Sequence, residues 1–332
     1  MPIIAPRPQR KYELNTGTLK AWVHTLRHEA QDIISVELRP VEGVFPAFSA
    51  GSHVDVHLTN GLVRSYSLLN DNRERHRYVL GVLKDRNSRG GSRCVHEQLR
   101  VGMALTLSTP RNHFALDESA THSVLIAGGI GVTPILCMGR RLQALGHSFE
   151  VMYFARSRAH AAFVSDIEAL GAPITWHFDD EQGGPPDLQA LLSRRAPDAG
   201  THHYACGPAV MLDAFEAQCK ALGHAHAHIE RFAAVAVAAA ADARASFSVE
   251  LHQSGLHFEV TPDTTLHQRL LDLQANVPFS CEQGICGSCQ TRVIDGVVDH
   301  RDSVLTPEEQ ARNDVMMVCV SGCKSDRLVL DL

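Results

Sequence analysis

The chain has 332 residues, a net charge of −6 and 44% hydrophobic residues. That length suits two or three domains with packed cores, and the acidic balance excludes the basic footprint of a nucleic-acid binder. No apolar run is long enough to span a bilayer, and Met1-Pro2-Ile3-Ile4-Ala5 lacks the apolar core of a secretory signal, so a soluble cytoplasmic protein is expected.

The first part of the chain reads as β structure. Residues 19–24, 33–39, 54–58 and 78–84 are alternating or β-branched runs. Turn residues separate them, among them Glu42-Gly43, Ala50-Gly51, Asn60-Gly61 and Asn70-Asp71-Asn72. Short strands at such intervals predict a small barrel, with one short helix over 92–99. Two segments carry binding chemistry. In Arg64-Ser65-Tyr66-Ser67, arginine pairs with phosphate, tyrosine stacks on a planar ring and serine hydrogen-bonds a ring nitrogen. In Arg89-Gly90-Gly91-Ser92, backbone N–H groups and a hydroxyl suit a terminal phosphate. Either segment alone is equally an ordinary turn.

The period changes near residue 120. A buried strand over 123–127 leads into Ala127-Gly128-Gly129-Ile130-Gly131-Val132-Thr133-Pro134 and a helix over 134–145. Further segments at 149–154, 163–170, 174–178, 188–192, 201–204 and 209–221 continue the alternation and predict a parallel sheet with helices on both faces. Glycines between strand and helix let a pyrophosphate approach backbone N–H groups. Here Gly129-x-Gly131-x-x-Pro134 lacks the third glycine of the dinucleotide fingerprint, so a plain tight turn fits it as well. A second turn, Cys206-Gly207-Pro208, also ends a strand and opens a helix. Both turns fall where an open α/β sheet binds ligands, and the Cys206 sulfur suits the wall of a nicotinamide site. Arg156 and Arg158 fit a 2′-phosphate, an adenine face or solvent, and do not separate NADH from NADPH. His202, His203, His224, His226 and His228 read as structural.

An alanine-rich connector over 233–245 follows, either helical or merely flexible. Beyond it come a hairpin around Ser254-Gly255, a helix over 264–273, and strands over 290–294 and 327–332. Between them stands Cys281-Glu282-Gln283-Gly284-Ile285-Cys286-Gly287-Ser288-Cys289. This C-x4-C-x2-C run with a distant fourth cysteine is the spacing of a plant-type [2Fe–2S] ferredoxin. Structural zinc usually takes two C-x2-C pairs, and disulfides need an oxidising compartment. Cys319 and Cys323 both offer the fourth thiolate. Cys94, Cys137 and Cys219 read as small buried hydrophobes.

The order Arg64-x-Tyr66-Ser67, Arg89-Gly90-Gly91-Ser92, Pro110-Arg111-Asn112, Gly128 to Pro134, Cys206-Gly207-Pro208 and then the cysteine loop resembles the phthalate dioxygenase reductase family, which includes vanillate demethylase reductases. The resemblance runs from about residue 15 to the end. It implies a ferredoxin-reductase-type FMN-binding β-barrel (1–117), a parallel α/β NAD(P)H-binding domain (118–232), a linker (233–245) and a β-grasp ferredoxin domain (246–332). Arg64, Ser65, Tyr66 and Ser67 would contact the flavin, with Val82, Leu83 and Lys84 alongside and Gly90, Gly91 and Ser92 at its phosphate. Gly129, Gly131, Thr133, Pro134, Cys206, Gly207 and Pro208 would line the nucleotide site, and Phe232 would shield the flavin face. Cys319 would complete the cluster with Cys281, Cys286 and Cys289. In the catalytic roles, Ser67 would lie near the flavin N5 and Cys206 near the nicotinamide C4.

The implied protein is the monomeric reductase component of a Rieske-type mononuclear-iron oxygenase. It would pass NADH hydride (NADPH being possible) to FMN and single electrons through the cluster to the oxygenase. An FAD-containing reductase shares the Arg-x-Tyr-Ser motif. A non-catalytic electron carrier or redox sensor would explain the cluster but not the two glycine turns.

Overall fold

The computed structural model describes residues 17–233 and 246–332. The first sixteen residues, and the alanine-rich connector from residue 234, lie outside the described residues.

Six antiparallel strands form the first sheet: β1 (Leu19–Ala30), β2 (Ile33–Pro40), β3 (His53–His57), β4 (Val63–Ser67), β5 (Tyr78–Leu83) and β6 (Ala104–Leu107), in the order β4-β3-β6-β1-β2-β5. An antiparallel bridge between Leu68 and Leu80 joins the two edges, so the sheet closes into a barrel and hides its free edges. Helix α1 (Gly91–Glu97) packs beside it. Strand β3 departs from the usual half-buried pattern. Val54 and Val56 fill the barrel, yet His53 and Asp55, which point the other way, are each only 5% exposed. Something outside the barrel covers that polar face.

The second sheet is parallel: β7 (His122–Gly128), β8 (Phe149–Ala155), β9 (Ile174–Phe178), β10 (Thr201–Cys206) and β11 (His226–Glu230), in the order β11-β10-β7-β8-β9. Helices α2 (Val132–Leu145) and α3 (Val164–Glu168) join the core shared with the barrel, which includes Leu125, Tyr153 and Ile135. After α4 (Asp179–Gln182), helices α5 (Leu188–Leu192) and α6 (Ala209–Leu222) cover the opposite face with Leu191, Leu212 and Phe215. The chain leaves β7 outward through β8 and β9, then returns to β7's other side as β10. The carboxyl ends of β7 and β10 therefore flank the topological switch point, where such sheets hold ligands.

The C-terminal unit has β12 (Phe247–Leu251), β13 (Leu256–Val260), α7 (Leu266–Asp272), β14 (Gln290–Asp295), β15 (Val298–Asp299), α8 (Pro307–Arg312), β16 (Val315–Met317), β17 (Gly322–Cys323) and β18 (Arg327–Leu330). Its main sheet runs β13-β12-β18-β14-β16, with β12 and β18 parallel. Leu270, Met316, Met317 and Leu328 pack at its centre.

Strands β6 and β16, the two-residue strands, and helices α4 and α8 go beyond the elements expected from the sequence. Helix α8 carried a readable signal: Thr306 and Glu309 cap it reciprocally, with Pro307 in the first turn. Most predicted helices are shorter than expected, and the 188–192 segment is helical, opened by an Asp187 cap.

Candidate functional site

Strand β4 carries Arg64-Ser65-Tyr66-Ser67, with Arg64 and Tyr66 on one face and Ser65 and Ser67 on the other. Gly90 takes a left-handed φ of 98° before α1, and a side chain at Gly91 would strike the Arg64 stem at 2.6 Å. That glycine lets the Arg64 and Gly90–Ser92 segments close into one cradle. Burial, and then the nearby Arg89 charge, hold the Arg64 guanidinium below its usual range. Two crowded cations with backbone amides suit a phosphate. Burial likewise holds the Tyr66 phenol above its usual range. Of the neighbouring β5 segment, Val82 points into the core while its carbonyl meets His96 Nε2 at 2.9 Å. Leu83 is exposed, and Lys84 is engaged by Glu97 at 3.0 Å.

The two glycine turns of the α/β sheet touch. A Cβ at Gly131 would sit 2.1 Å from the Cys206 carbonyl oxygen, and one at Gly128 or Gly207 would strike Met211. Gly129, with φ of 54°, faces open space. Thr133 and Pro134 are buried at the start of α2, and the Thr133 methyl occupies the room left by Gly81 of the barrel. Pro208 opens α6. Phe232 is exposed just beyond β11.

Glu230, which no sequence motif marks, stands at the junction. It lies beside Cys206 in the β10–β11 register and accepts a 3.2 Å hydrogen bond from Ser67 Oγ of the barrel. The residue is half-buried, and the burial of its carboxyl outweighs the Ser67 hydrogen bond and lifts it to about 8. Burial, then the Glu230 charge, push the fully buried Cys206 thiol well above its usual value. At neutral pH this trio is uncharged.

In the cysteine loop, Cys281, Cys286, Cys289 and Cys319 are all buried. The thiols of Cys281 and Cys286 contact each other, as do those of Cys289 and Cys319. Among the described residues no three metal-ligating side chains form a single-ion group. Two pairs of soft donors fit two bridged irons better than one zinc. Cys323 instead turns its sulfur to the Ser325 carbonyl at 3.1 Å.

The cluster loop is what covers β3. His53 Nε2 meets the Cys286 carbonyl at 3.1 Å, and Ser288 Oγ donates to Asp55 Oδ2 at 2.9 Å. Arg89 Nη2 donates to the Cys281 carbonyl at 3.0 Å, and Ser65 lies 3.2 Å from Ser280. Burial lowers His53 to about 4, so it is neutral.

The histidines of β10 and β11, with His224, do not join this site. His202 stacks on His226 at 4.2 Å and lies 3.2 Å from His228, while the His203 ring meets that of His224 at 4.3 Å in a tilted arrangement. Burial, then the neighbouring His202, lower His228 to about 4.

The profile of the 2Fe-2S iron-sulfur cluster binding domain matches residues 249–324. The vanillate O-demethylase oxidoreductase of Pseudomonas putida is 45% identical over 317 residues, 95% of this chain and 100% of that one. The crystal structure of phthalate dioxygenase reductase, a modular structure for electron transfer from pyridine nucleotides to [2Fe-2S], superposes with a TM-score of 0.69 at 36% identity, over 95% of this chain and 98% of the other. The chain belongs to the phthalate dioxygenase reductase family. It is an NAD(P)H-dependent iron–sulfur flavoprotein oxidoreductase with that family's three-part architecture. A self-sufficient cytochrome P450 monooxygenase also superposes, with a TM-score of 0.87 at 38% identity over 95% of this chain; this chain spans 41% of that longer one.

Proposed function

We propose that the protein is the monomeric, cytoplasmic reductase component of a Rieske-type mononuclear-iron oxygenase system that acts on an aromatic acid or similar small molecule, with NADH as donor and FMN as its flavin. The observation that carries this reading is that one hairpin, β3–β4, meets both other units. Ser67 reaches Glu230 of the nucleotide sheet, and His53 and Asp55 reach the cysteine loop. A flavin supplies the exchange between a two-electron hydride and one-electron steps, and a [2Fe–2S] cluster supplies a one-electron relay.

The chain's own residues do the rest. Arg64 and Gly90–Ser92 hold the phosphate, and Tyr66 packs against the ring system. The Gly129–Gly131 turn receives the nucleotide pyrophosphate. Ser67 and Cys206 orient the reacting rings, and neutral Glu230 keeps a fixed charge out of that space. Cys281, Cys286, Cys289 and Cys319 hold the irons. FMN is favoured over FAD because the Gly90–Ser92 cradle would suit a terminal phosphate, and Arg89 beside it already meets the cysteine loop. The relatives that serve vanillate O-demethylase and phthalate dioxygenase support an oxygenase as the electron acceptor.

The test mixes the purified holoprotein with NADH or NADPH and an oxidised Rieske-type oxygenase, and identifies the flavin released on denaturation. Released FMN, and NADH-driven reduction of the oxygenase that fails in a Cys286→Ser variant, are expected. Released FAD, or equal reduction without the cluster, would overturn the reading.

A further inference from the structure

The polar face of β3 is buried although neither His53 nor Asp55 belongs to the phosphate cradle or the nucleotide site. Asp55 is fully engaged. Its Oδ1 accepts from Ser65 at 2.6 Å, and its Oδ2 accepts from Arg111 Nη2 at 2.6 Å and from Ser288 Oγ at 2.9 Å. Burial pushes its carboxyl up, but the Arg111 charge and the hydrogen bonds from Ser65 and Arg111 outweigh this and keep it ionised. Arg111 Nη2 also donates to Ser288 Oγ at 2.9 Å, and its buried Nε has no partner among the described residues. Ser288 Oγ stands 3.0 Å from the Cys286 sulfur.

A hydroxyl has one proton. Cys286 as a thiolate ligand can only accept, and the Asp55 carboxylate can only accept, so two anions compete for the proton of Ser288. Hydrogen bonds to ligand sulfur and nearby charge both set the potential of an iron–sulfur cluster. We propose that Asp55 and Arg111 are positioning residues that clamp Ser288 and draw its proton away from Cys286, so that docking of the cysteine loop on the barrel sets the reduction potential of the cluster. The inference rests on reading the four cysteines as [2Fe–2S] ligands. Docked, the sulfur has a weaker donor and a buried carboxylate nearby, and both make the cluster harder to reduce. Undocked, Ser288 is free to donate to the sulfur, and reduction becomes easier.

The experiment is an EPR-monitored redox titration of full-length holoprotein and of Asp55→Asn, Ser288→Ala, Ser288→Thr and Asp55→Asn/Ser288→Ala variants. Asp55→Asn should raise the midpoint by about tenfold in the one-electron equilibrium, or ~59 mV. Adding Ser288→Ala should reverse part of that rise, a non-additivity expected of groups sharing one proton. Ser288→Ala alone should lower the midpoint by less than it does in the Asp55→Asn background, because Asp55 already holds most of the hydroxyl proton, and Ser288→Thr, which keeps the hydroxyl, should restore it. If Asp55→Asn does not fold, the Ser288 pair carries the test. Midpoints that stay at the wild-type value in every folded variant with an intact cluster would overturn the proposal. Wild-type protein with no [2Fe–2S] signal would instead overturn the cysteine reading beneath it.

Discussion

Ser67 on the barrel hairpin donates a 3.2 Å hydrogen bond to Glu230, the last residue of the edge strand β11 in the nucleotide sheet. The bond joins residues 163 positions apart and sets a buried carboxyl beside Cys206. Burial raises the Glu230 carboxyl from an ordinary 4.5 to about 8. The folded protein thus holds this proton more tightly than the unfolded chain. Its contribution is fully present below the ordinary carboxylate value and is lost as pH rises through about 8. Between about pH 6 and pH 8.5, wild type should lose roughly 2 kcal/mol that Glu230→Gln does not lose. Urea midpoints of both proteins at the two pH values check this. Parallel pH profiles would contradict it.

Arg64→Ala should weaken flavin binding by roughly 10- to 100-fold, the worth of a charge-assisted hydrogen bond to phosphate. Fluorescence of flavin released during dialysis measures the loss. Full retention would count against the cradle.

Cys286→Ser should abolish the cluster signal while leaving flavin reduction by NADH intact. The fourth ligand gives a paired test: Cys319→Ser should lose the cluster, and Cys323→Ser should keep it, because the Cys323 sulfur faces Ser325 and the Arg327 carbonyl. Iron content and EPR on the three variants decide it.

Gly131→Ala would place a methyl group 2.1 Å from the Cys206 carbonyl oxygen, a backbone atom that cannot move aside alone. The two turns should part, at a cost of about 1–3 kcal/mol. The expected readout is a raised KM for NADH with the cluster signal unchanged.

What the sequence made legible was local. The cysteine loop and both glycine turns are contiguous runs whose chemistry is carried by spacing; each glycine turn lies between the strand and helix its sequence predicts, and the cysteine loop lies between α7 and β14. The contacts between units were not legible. His53 and Asp55 belong to a run that reads simply as an alternating strand, because nothing in period-2 alternation tells which outer face another unit will cover. Glu230 sits in Ile229-Glu230-Arg231-Phe232, a segment noted only for its phenylalanine. Its partner Ser67 is remote in the chain, and only the fold brings them together. Arg111 appeared within a motif, but its role needed Ser288, across the connector, to be visible.

The central claim is a relay from hydride to single electrons within one chain, and an anaerobic titration with NADH, then NADPH, followed by absorbance and low-temperature EPR, tests it most directly. The account predicts bleaching of a flavin band together with a rhombic one-electron cluster signal, stronger with NADH. Flavin bleaching with no cluster signal, or no response to either nucleotide, would contradict it.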